Sequence, residues 1–306
     1  MEKEFLYKDR SFSSCLNTAY VWFCDNFRTI VRVTWLPLLI YGIFAGLSLV
    51  CTLRDARIVE FAEQSPGLFL TIFIVASIGV LACYLWAWSR LLSLLNGLTG
   101  KKNILLLLIL FLSDIVIGFI IGGILFGGCW LLFRHQGVTP AAFLLDNWLV
   151  CLIGFIVILL LTLPLAYASA RYIMKPDTSY LLDLPKTYPT GLRHLGFIFI
   201  TTLITGIITG IIAIVIALPQ LILMTAQTIS AFGVLQGDPS GMPGYFIPLH
   251  GATTAVTTIL FFYLTVYMLL VSVFMYGSIE NEEEVQHATL ISEEAPTDNE
   301  QQPKTF

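Results

Sequence analysis

The residue with the clearest capacity for chemistry is Asp114, a carboxylate within the apolar stretch 104–133. By helical rise, Asp114 lies about 15 Å along a membrane-spanning helix from the start of that stretch. A charge at such a depth costs at least about 2.5 kcal/mol, so we expect a protonated, paired or hydrated carboxyl group. Arg90 and Arg171 are the cations placed to reach it. Two interpretations stay open: a proton- or cation-linked site, or a buried ion pair or hydrogen bond that orients the helices.

Three threonines add a polar stripe to another apolar stretch. Thr201, Thr205 and Thr209 recur every four residues and therefore share one face of a helix. Together with Asp114 they would line a path for a proton or a cation. The alternative is that each hydroxyl bonds to the preceding turn of its own helix.

Other chemistry has little support in the sequence. It contains no H-E-x-x-H, Walker or G-x-S-x-G motif, and its four histidines lack ligand spacing. We therefore expect a protein that is not an enzyme and that holds no metal and no cofactor. No basic block marks a nucleic-acid partner, so membrane lipids are the expected surroundings.

Composition identifies the elements that must position these residues. Hydrophobic residues make up 57% of the 306 residues, charged residues make up 12%, and the mean hydropathy is +0.84. A soluble domain carries about 25% charged residues, because its surface faces water. A chain with half that share must place most of its surface in lipid.

Six apolar stretches are long enough to cross a membrane as helices, which need about 20 residues each. They cover residues 33–53, 67–92, 104–133, 148–172, 195–220 and 253–277. The sequence thus predicts an all-α, polytopic helical bundle over residues 33–278. It is preceded by a segment 1–32 and followed by an acidic tail 279–306, which lacks periodicity and is predicted to be disordered.

The distribution of Lys and Arg predicts the orientation. Thirteen of the 16 basic residues fall on the side of the two termini, and only Arg54, Arg57 and Arg134 fall on the other. We expect a multi-pass protein of the plasma membrane, in a bacterium the inner membrane, with both termini cytoplasmic. Cys129 and Cys151 flank one outer loop, and their spacing leaves a disulfide open.

The segment before the first span has an amphipathic pattern. Apolar residues recur at spacings of three and four from Phe12 to Phe27, with polar residues largely on the other side. This pattern predicts a helix lying in the cytoplasmic membrane interface. The alternative is an N-terminal extension of the first span, bent at Arg28–Arg32.

Glycine pairs four residues apart mark close helix contacts. They occur at Gly42 and Gly46, Gly118 and Gly122, Gly123 and Gly127, and Gly206 and Gly210. Packing within the bundle is the favoured interpretation. The alternative is a contact with a second copy of the chain or with another membrane protein.

The segment before the fifth span has a similar character to the N-terminal segment. An offset of 168 residues aligns identical residues in the two, such as Ser11 with Ser179, Leu16 with Leu184 and Tyr20 with Tyr188. Both segments precede a span from the same side, as the two copies of a duplicated unit would.

The stretch Trp22-Phe23-Cys24-Asp25-Asn26-Phe27, after a Ser-Phe opening, resembles a known family pattern. It is similar to the broad bacterial group of the YciC-type membrane proteins and the membrane domain attached to some glycerophosphodiester phosphodiesterases. The resemblance covers mainly residues 11–50. It implies about six spans and an inner-membrane location, and no activity.

These observations lead to two functional hypotheses. The first is a non-enzymatic membrane protein that organises lipids or partner proteins, the partner being a second copy or another membrane protein. The second is a small proton- or cation-linked transporter or channel that uses Asp114. Transporters usually place several polar groups near the midplane of the bilayer, which favours the first hypothesis.

Overall fold

The computed structural model describes residues 3–53, 56–133, 148–175, 180–237 and 242–294. Within these ranges the chain forms helices and no strand, which confirms the all-α prediction. The helices are α1 (Lys3–Leu6), α2 (Phe12–Thr52), α3 (Ala56–Gln64), α4 (Pro66–Asn96), α5 (Gly100–Phe133), α6 (Trp148–Met174), α7 (Tyr180–Arg193), α8 (Leu195–Leu235) and α9 (Phe246–Glu294).

Six of the described helices are long and apolar enough to cross a membrane: α2, α4, α5, α6, α8 and α9. Each contains one of the six predicted spans. Their outward side chains are apolar, as Phe119 and Ile214 illustrate with exposed fractions of 78% and 62%. Such a surface is stable against acyl chains, because lipid replaces the missing protein neighbours. The chain is an integral membrane protein.

The N-terminal part of α2 differs from its prediction. Ser11 caps the helix, its hydroxyl accepting a hydrogen bond from the N–H of Ser14 at 3.4 Å. From Phe12 the helix continues to Thr52, with no separate interfacial helix before the first span. The segment is continuous with the first span, as in the alternative interpretation; its position in the membrane interface and the bend at Arg28–Arg32 stay predictions. The physical reason for the continuity is that part of the apolar face of this segment packs against α9: the ring of Phe27 lies 5.8 Å from that of Tyr263.

The segment before the fifth span does form a helix of its own, α7. It covers Tyr180–Arg193. It lies against α6, where a Cβ added to Gly191 would be 2.9 Å from the Cβ of Pro164. The hydroxyl of Tyr188 also donates to the carbonyl of Leu161 in α6, at 2.9 Å.

The acidic segment after the last span also departs from its prediction. It is helical as far as Glu294, so the disorder expected from residue 279 onwards is wrong up to that point. Glu280 and Glu283 have basic partners at the ends of other helices, Lys175 after α6 and His194 between α7 and α8, and these contacts hold the segment in place. Residues 295–306 lie outside the described part of the chain, as do the side chains of Cys129 and Cys151.

The long helices α2 and α9 run antiparallel along each other. Their backbones approach closely at Gly46, where an added Cβ would lie 2.5 Å from the carbonyl oxygen of Gly251. Near the middle of the contact, the hydroxyls of Thr34 and Tyr263 are hydrogen-bonded at 3.3 Å. Only glycine permits such an approach, because any larger residue would separate the helices.

The glycine pairs therefore divide into two groups. Gly42 and Gly46 pack against α9, which is the favoured interpretation. A Cβ added to the other glycines of the four pairs meets no atom of the described chain within 4 Å; these are Gly118, Gly122, Gly123, Gly127, Gly206 and Gly210. For these residues, packing within the described bundle is wrong.

Large side chains are fully buried at the end of the bundle where α1, α7 and the start of α2 lie. We call it the α7 end. Tyr167, Phe274, Met275 and Tyr276 are each at most 1% exposed there. By contrast, α8 leaves most of its apolar side chains exposed beyond its first turns. Side chains at the α7 end are thus fixed by protein contacts.

The glycine contact gives a direct stability test. We expect Gly46→Ala to lower the free energy of unfolding by about 1–3 kcal/mol, since the new methyl group overlaps the Gly251 carbonyl. Gly206→Ala is the matched control: it gains the same helix propensity and meets open space. Thermal unfolding in detergent should place Gly46→Ala below the wild type and Gly206→Ala at or above it. Equal melting temperatures for the two variants would contradict the α2–α9 contact.

Candidate functional site

Five polar and aromatic residues of three segments meet at the α7 end: Tyr7, Tyr167, Lys175, Tyr276 and Glu280, here called the Glu280 network. The Nζ of Lys175 donates to Oε1 of Glu280 at 2.6 Å, and the hydroxyl of Tyr167 donates to Oε2 at 3.1 Å. The hydroxyls of Tyr7 and Tyr276 are 3.3 Å apart, and the Lys175 ammonium lies 5.2 Å from the Tyr7 ring centre. The network joins the N-terminal segment and α6 to the acidic part of α9.

Lys175 and Glu280 form a charged pair at the edge of the protein. The Glu280 side chain is 13% exposed and that of Lys175 is 41% exposed. Burial by itself lowers the pKa of Lys175, but the hydrogen bond and the charge of Glu280 raise it above its ordinary value. The ammonium group therefore stays charged, and the carboxylate keeps its donor.

Arg10 is a second cation at this end, and it is 7% exposed. Its guanidinium donates to the carbonyls of Leu6 at 2.9 Å and Lys8 at 3.3 Å, and also to that of Phe5. The rings of Phe5 and Phe274 lie 5.6 and 5.2 Å from the guanidinium carbon. Burial lowers the pKa of Arg10, although an arginine remains charged after such a shift. Its partners are neutral groups and π faces.

The backbone of Arg10 fixes the N-terminal segment to α9. The N–H of Arg10 donates to the hydroxyl of Ser278 at 2.9 Å, and that hydroxyl donates to the carbonyl of Arg10 at 3.1 Å. Next to it, Gly277 allows the carbonyl of Leu6 to approach, since a side chain there would overlap it. The N-terminal segment is therefore held by main-chain as well as side-chain contacts.

His194, at the junction of α7 and α8, faces two carboxylates of α9. Its Nε2 is 3.0 Å from Oε1 of Glu283, and its Nδ1 is 3.6 Å from Oε2 of Glu282. An imidazolium ion, with a proton on each nitrogen, can serve both carboxylates. This contact ties α9 to the start of α8, as the Glu280 network ties it to α6.

Two open grooves border these contacts. One, of about 450 Å³, lies between α6, α7 and α9 and contains Arg171 and the carboxylates of Glu280, Glu283 and Glu284. The other, of about 560 Å³, lies between the N-terminal segment, the α7–α8 junction and α9. Both are lined by side chains of both charges.

Asp114 lies in α5 at the level of α7, and its partner is a tyrosine. The hydroxyl of Tyr180 donates to Oδ1 of Asp114 at 3.3 Å and is 3.4 Å from the hydroxyl of Ser169. Burial, opposed by the Ser169 hydroxyl and aided by the Asp114 charge, raises the pKa of Tyr180 to about 12. Tyr180 therefore remains a neutral donor at physiological pH, and the hydrogen bond connects α5 to α7.

The two arginines expected to reach Asp114 are elsewhere. Arg171 lines the groove beside Glu280, and Arg90 is exposed on α4. Within the described ranges Asp114 has an ion pair with neither, so the expectation of an arginine partner is wrong. The contact observed is the hydrogen bond with Tyr180, which agrees with the interpretation that Asp114 orients the helices.

The threonine stripe is largely satisfied by its own helix. The hydroxyl of Thr209 donates to the carbonyl of Thr205, and that of Thr205 to the carbonyl of Thr201, both at 2.7 Å. All three residues are buried, and the Thr201 hydroxyl has no partner among the described residues. The stripe thus faces other helices, and two of its three hydroxyls bond locally.

Sequence reasoning missed two buried polar clusters. Asn103, fully buried, receives a 2.9 Å hydrogen bond from Asn96 and donates to the Ser93 hydroxyl at 3.0 Å, closing the α4–α5 turn. A signal was available, since the two asparagines flank a glycine-bounded turn between apolar stretches. At the other end, Gln220 of α8 is 2.8 Å from the Nε2 of His250 in α9, which no sequence pattern indicates.

No protein-family model, no curated protein and no solved structure matches this chain. Any inference about function therefore rests on the residues of the α7 end and on the lipid-facing helices around it.

The Glu280 network gives a second stability test. We expect Glu280→Gln to lower the free energy of unfolding by about 1–2 kcal/mol, because Lys175 loses its charged acceptor. Glu63→Gln is the matched control: the same charge is removed from an exposed residue of α3 that has no contact with the network. Thermal unfolding of both variants at low and high salt measures the effect. Equal losses for both variants would show that only the overall charge matters.

Proposed function

We propose that the chain is a non-enzymatic integral membrane protein that organises lipids or partner proteins. The observation that carries this proposal is the α7 end, where charged side chains form a packed platform with open grooves. Exposed apolar helices lie directly beside that platform. A fixed polar surface next to lipid-facing helices is suited to binding headgroups or the membrane-proximal part of another protein.

The placement of the polar residues supports an organising role over transport. Transporters gather polar groups around broken helices near the midplane of the bilayer. Here Asp114 bonds to a tyrosine of α7, and Thr205 and Thr209 bond to their own helix. The richest sets of charges are at the α7 end instead.

Location and orientation are part of the same proposal. The α7 end carries Lys8, Arg10, Lys175 and Arg193, and the positive-inside rule assigns such an end to the cytoplasm. Both termini would then be cytoplasmic. The resemblance to the YciC-type group points to a bacterial inner membrane.

The open glycine faces supply a candidate partner surface. Gly118 and Gly122 in α5, and Gly206 and Gly210 in α8, contact no described neighbour at their Cα faces. Such pairs let a second helix approach closely in lipid. A second copy of the chain or another membrane protein would fit there.

The test is native mass spectrometry of the full chain released from nanodiscs. We expect lipids, a second copy or a partner protein to be retained in a fixed ratio. Release of the bare monomer under conditions that preserve the fold would contradict the proposal. In that case, proton flux into vesicles should be compared between the wild type and Asp114→Asn, because the transporter hypothesis then becomes the stronger one.

A further inference from the structure

The groove of about 560 Å³ at the α7–α8 junction contains charged side chains that have no partner in the contacts described above. Its walls include Asp9 and Arg10 of the N-terminal segment, Arg193 and His194 of the junction, and Glu282 of α9. We call it the junction groove. It brings charges of both signs to one opening.

Some of the charged side chains in the junction groove have partners, and others have none within the described ranges. Glu282 already faces the Nδ1 of His194, and Arg10 is surrounded by neutral carbonyls. Asp9 and Arg193 are exposed and form no ion pair within the described ranges. The groove therefore offers one exposed cationic side chain, Arg193, and one exposed carboxylate, Asp9, and neither has an oppositely charged partner within the described ranges.

The start of α2 adds donors on the cationic side. Ser11 and Phe12 line the groove, and since the Ser11 hydroxyl already accepts from the N–H of Ser14, the N–H groups of Phe12 and Ser13 are the donors left in the first turn. Together with the partial positive charge at a helix start, these groups favour an anion with several oxygen atoms. A phosphate diester meets that requirement together with Arg193.

The junction groove also lies at a boundary between polar and apolar surface. Directly after His194, α8 becomes apolar and remains so through Phe199, and α9 turns from apolar to charged after Ile279. Phe12, at the edge of the groove, is 42% exposed. Headgroups occupy such a boundary, with their acyl chains against the apolar side.

We propose that the junction groove binds the headgroup of a zwitterionic phospholipid that carries a phosphate and a primary ammonium group. The phosphate lies at Arg193 and the start of α2, and the ammonium group lies at Asp9. This inference rests on the proposed function and names the class of lipid that the chain holds.

The first test removes the phosphate contact. The full chain is placed in nanodiscs with equal amounts of phosphatidylethanolamine and phosphatidylglycerol, and the lipids retained by the protein are counted by native mass spectrometry. We expect Arg193→Gln to weaken retention of both lipids about tenfold, the effect of one charge-assisted contact. Lys186→Gln is the matched control, because it removes the same charge from α7 at an exposed residue outside the groove.

The second test removes the ammonium contact. The wild type should retain phosphatidylethanolamine in preference to phosphatidylglycerol, and Asp9→Asn should abolish the preference while still retaining lipid. Asp25→Asn removes the same charge at an exposed residue of α2 outside the groove and should keep the preference.

Two results would overturn the inference. One is equal lipid retention in Arg193→Gln and Lys186→Gln, and the other is an unchanged preference in Asp9→Asn. If either occurred while the protein still retained lipid or a partner, the proposed function would stand and only the junction groove would be excluded. If the wild type retained neither, both proposals would fail.

Discussion

The antiparallel contact between α2 and α9 is the constraint on which the rest of the structure depends. It begins where Gly46 meets Gly251, continues through Thr34 and Tyr263, and ends near Ser278, which binds the backbone of Arg10. Other helices attach to this pair: α4 places Gly79 against Phe44 of α2, and α8 bonds to α9 through Gln220 and His250. Because the contact extends past the predicted spans, it carries the packed core out to the α7 end.

That extension explains why charges can be fixed beside the membrane. With α9 anchored on α2, its acidic continuation is presented to Lys175 of α6 and to His194 between α7 and α8. Charge pairs of this kind contribute little when both side chains move freely, and more when the backbones are already held. The grooves between these elements are thus bordered by backbones that other contacts hold. Binding of a headgroup or a partner protein would therefore require little loss of conformational entropy in the protein.

The sequence predicted the elements of the fold well and their partners poorly. Hydropathy predicted all six spans, because lipid imposes one length and one composition on each helix. It did not predict that α2 is continuous, since an amphipathic face has the same pattern whether it meets lipid or α9. The helical acidic segment was missed because its support comes from Lys175, 105 residues from Glu280. Asp114 was recognised as unusual, but its partner Tyr180 lies in another element, which no local pattern reveals.

The native cysteines of α2 test the central contact directly. Cys15 is fully buried and Cys24 is exposed, although both lie in the part of α2 that precedes the predicted first span. The protein in nanodiscs is treated with N-ethylmaleimide, and modification of each cysteine is followed by peptide mass spectrometry. If α2 packs on the bundle as described, Cys24 is modified and Cys15 is not until the protein unfolds. Modification of both at similar rates would show a segment free of the bundle and would contradict the account.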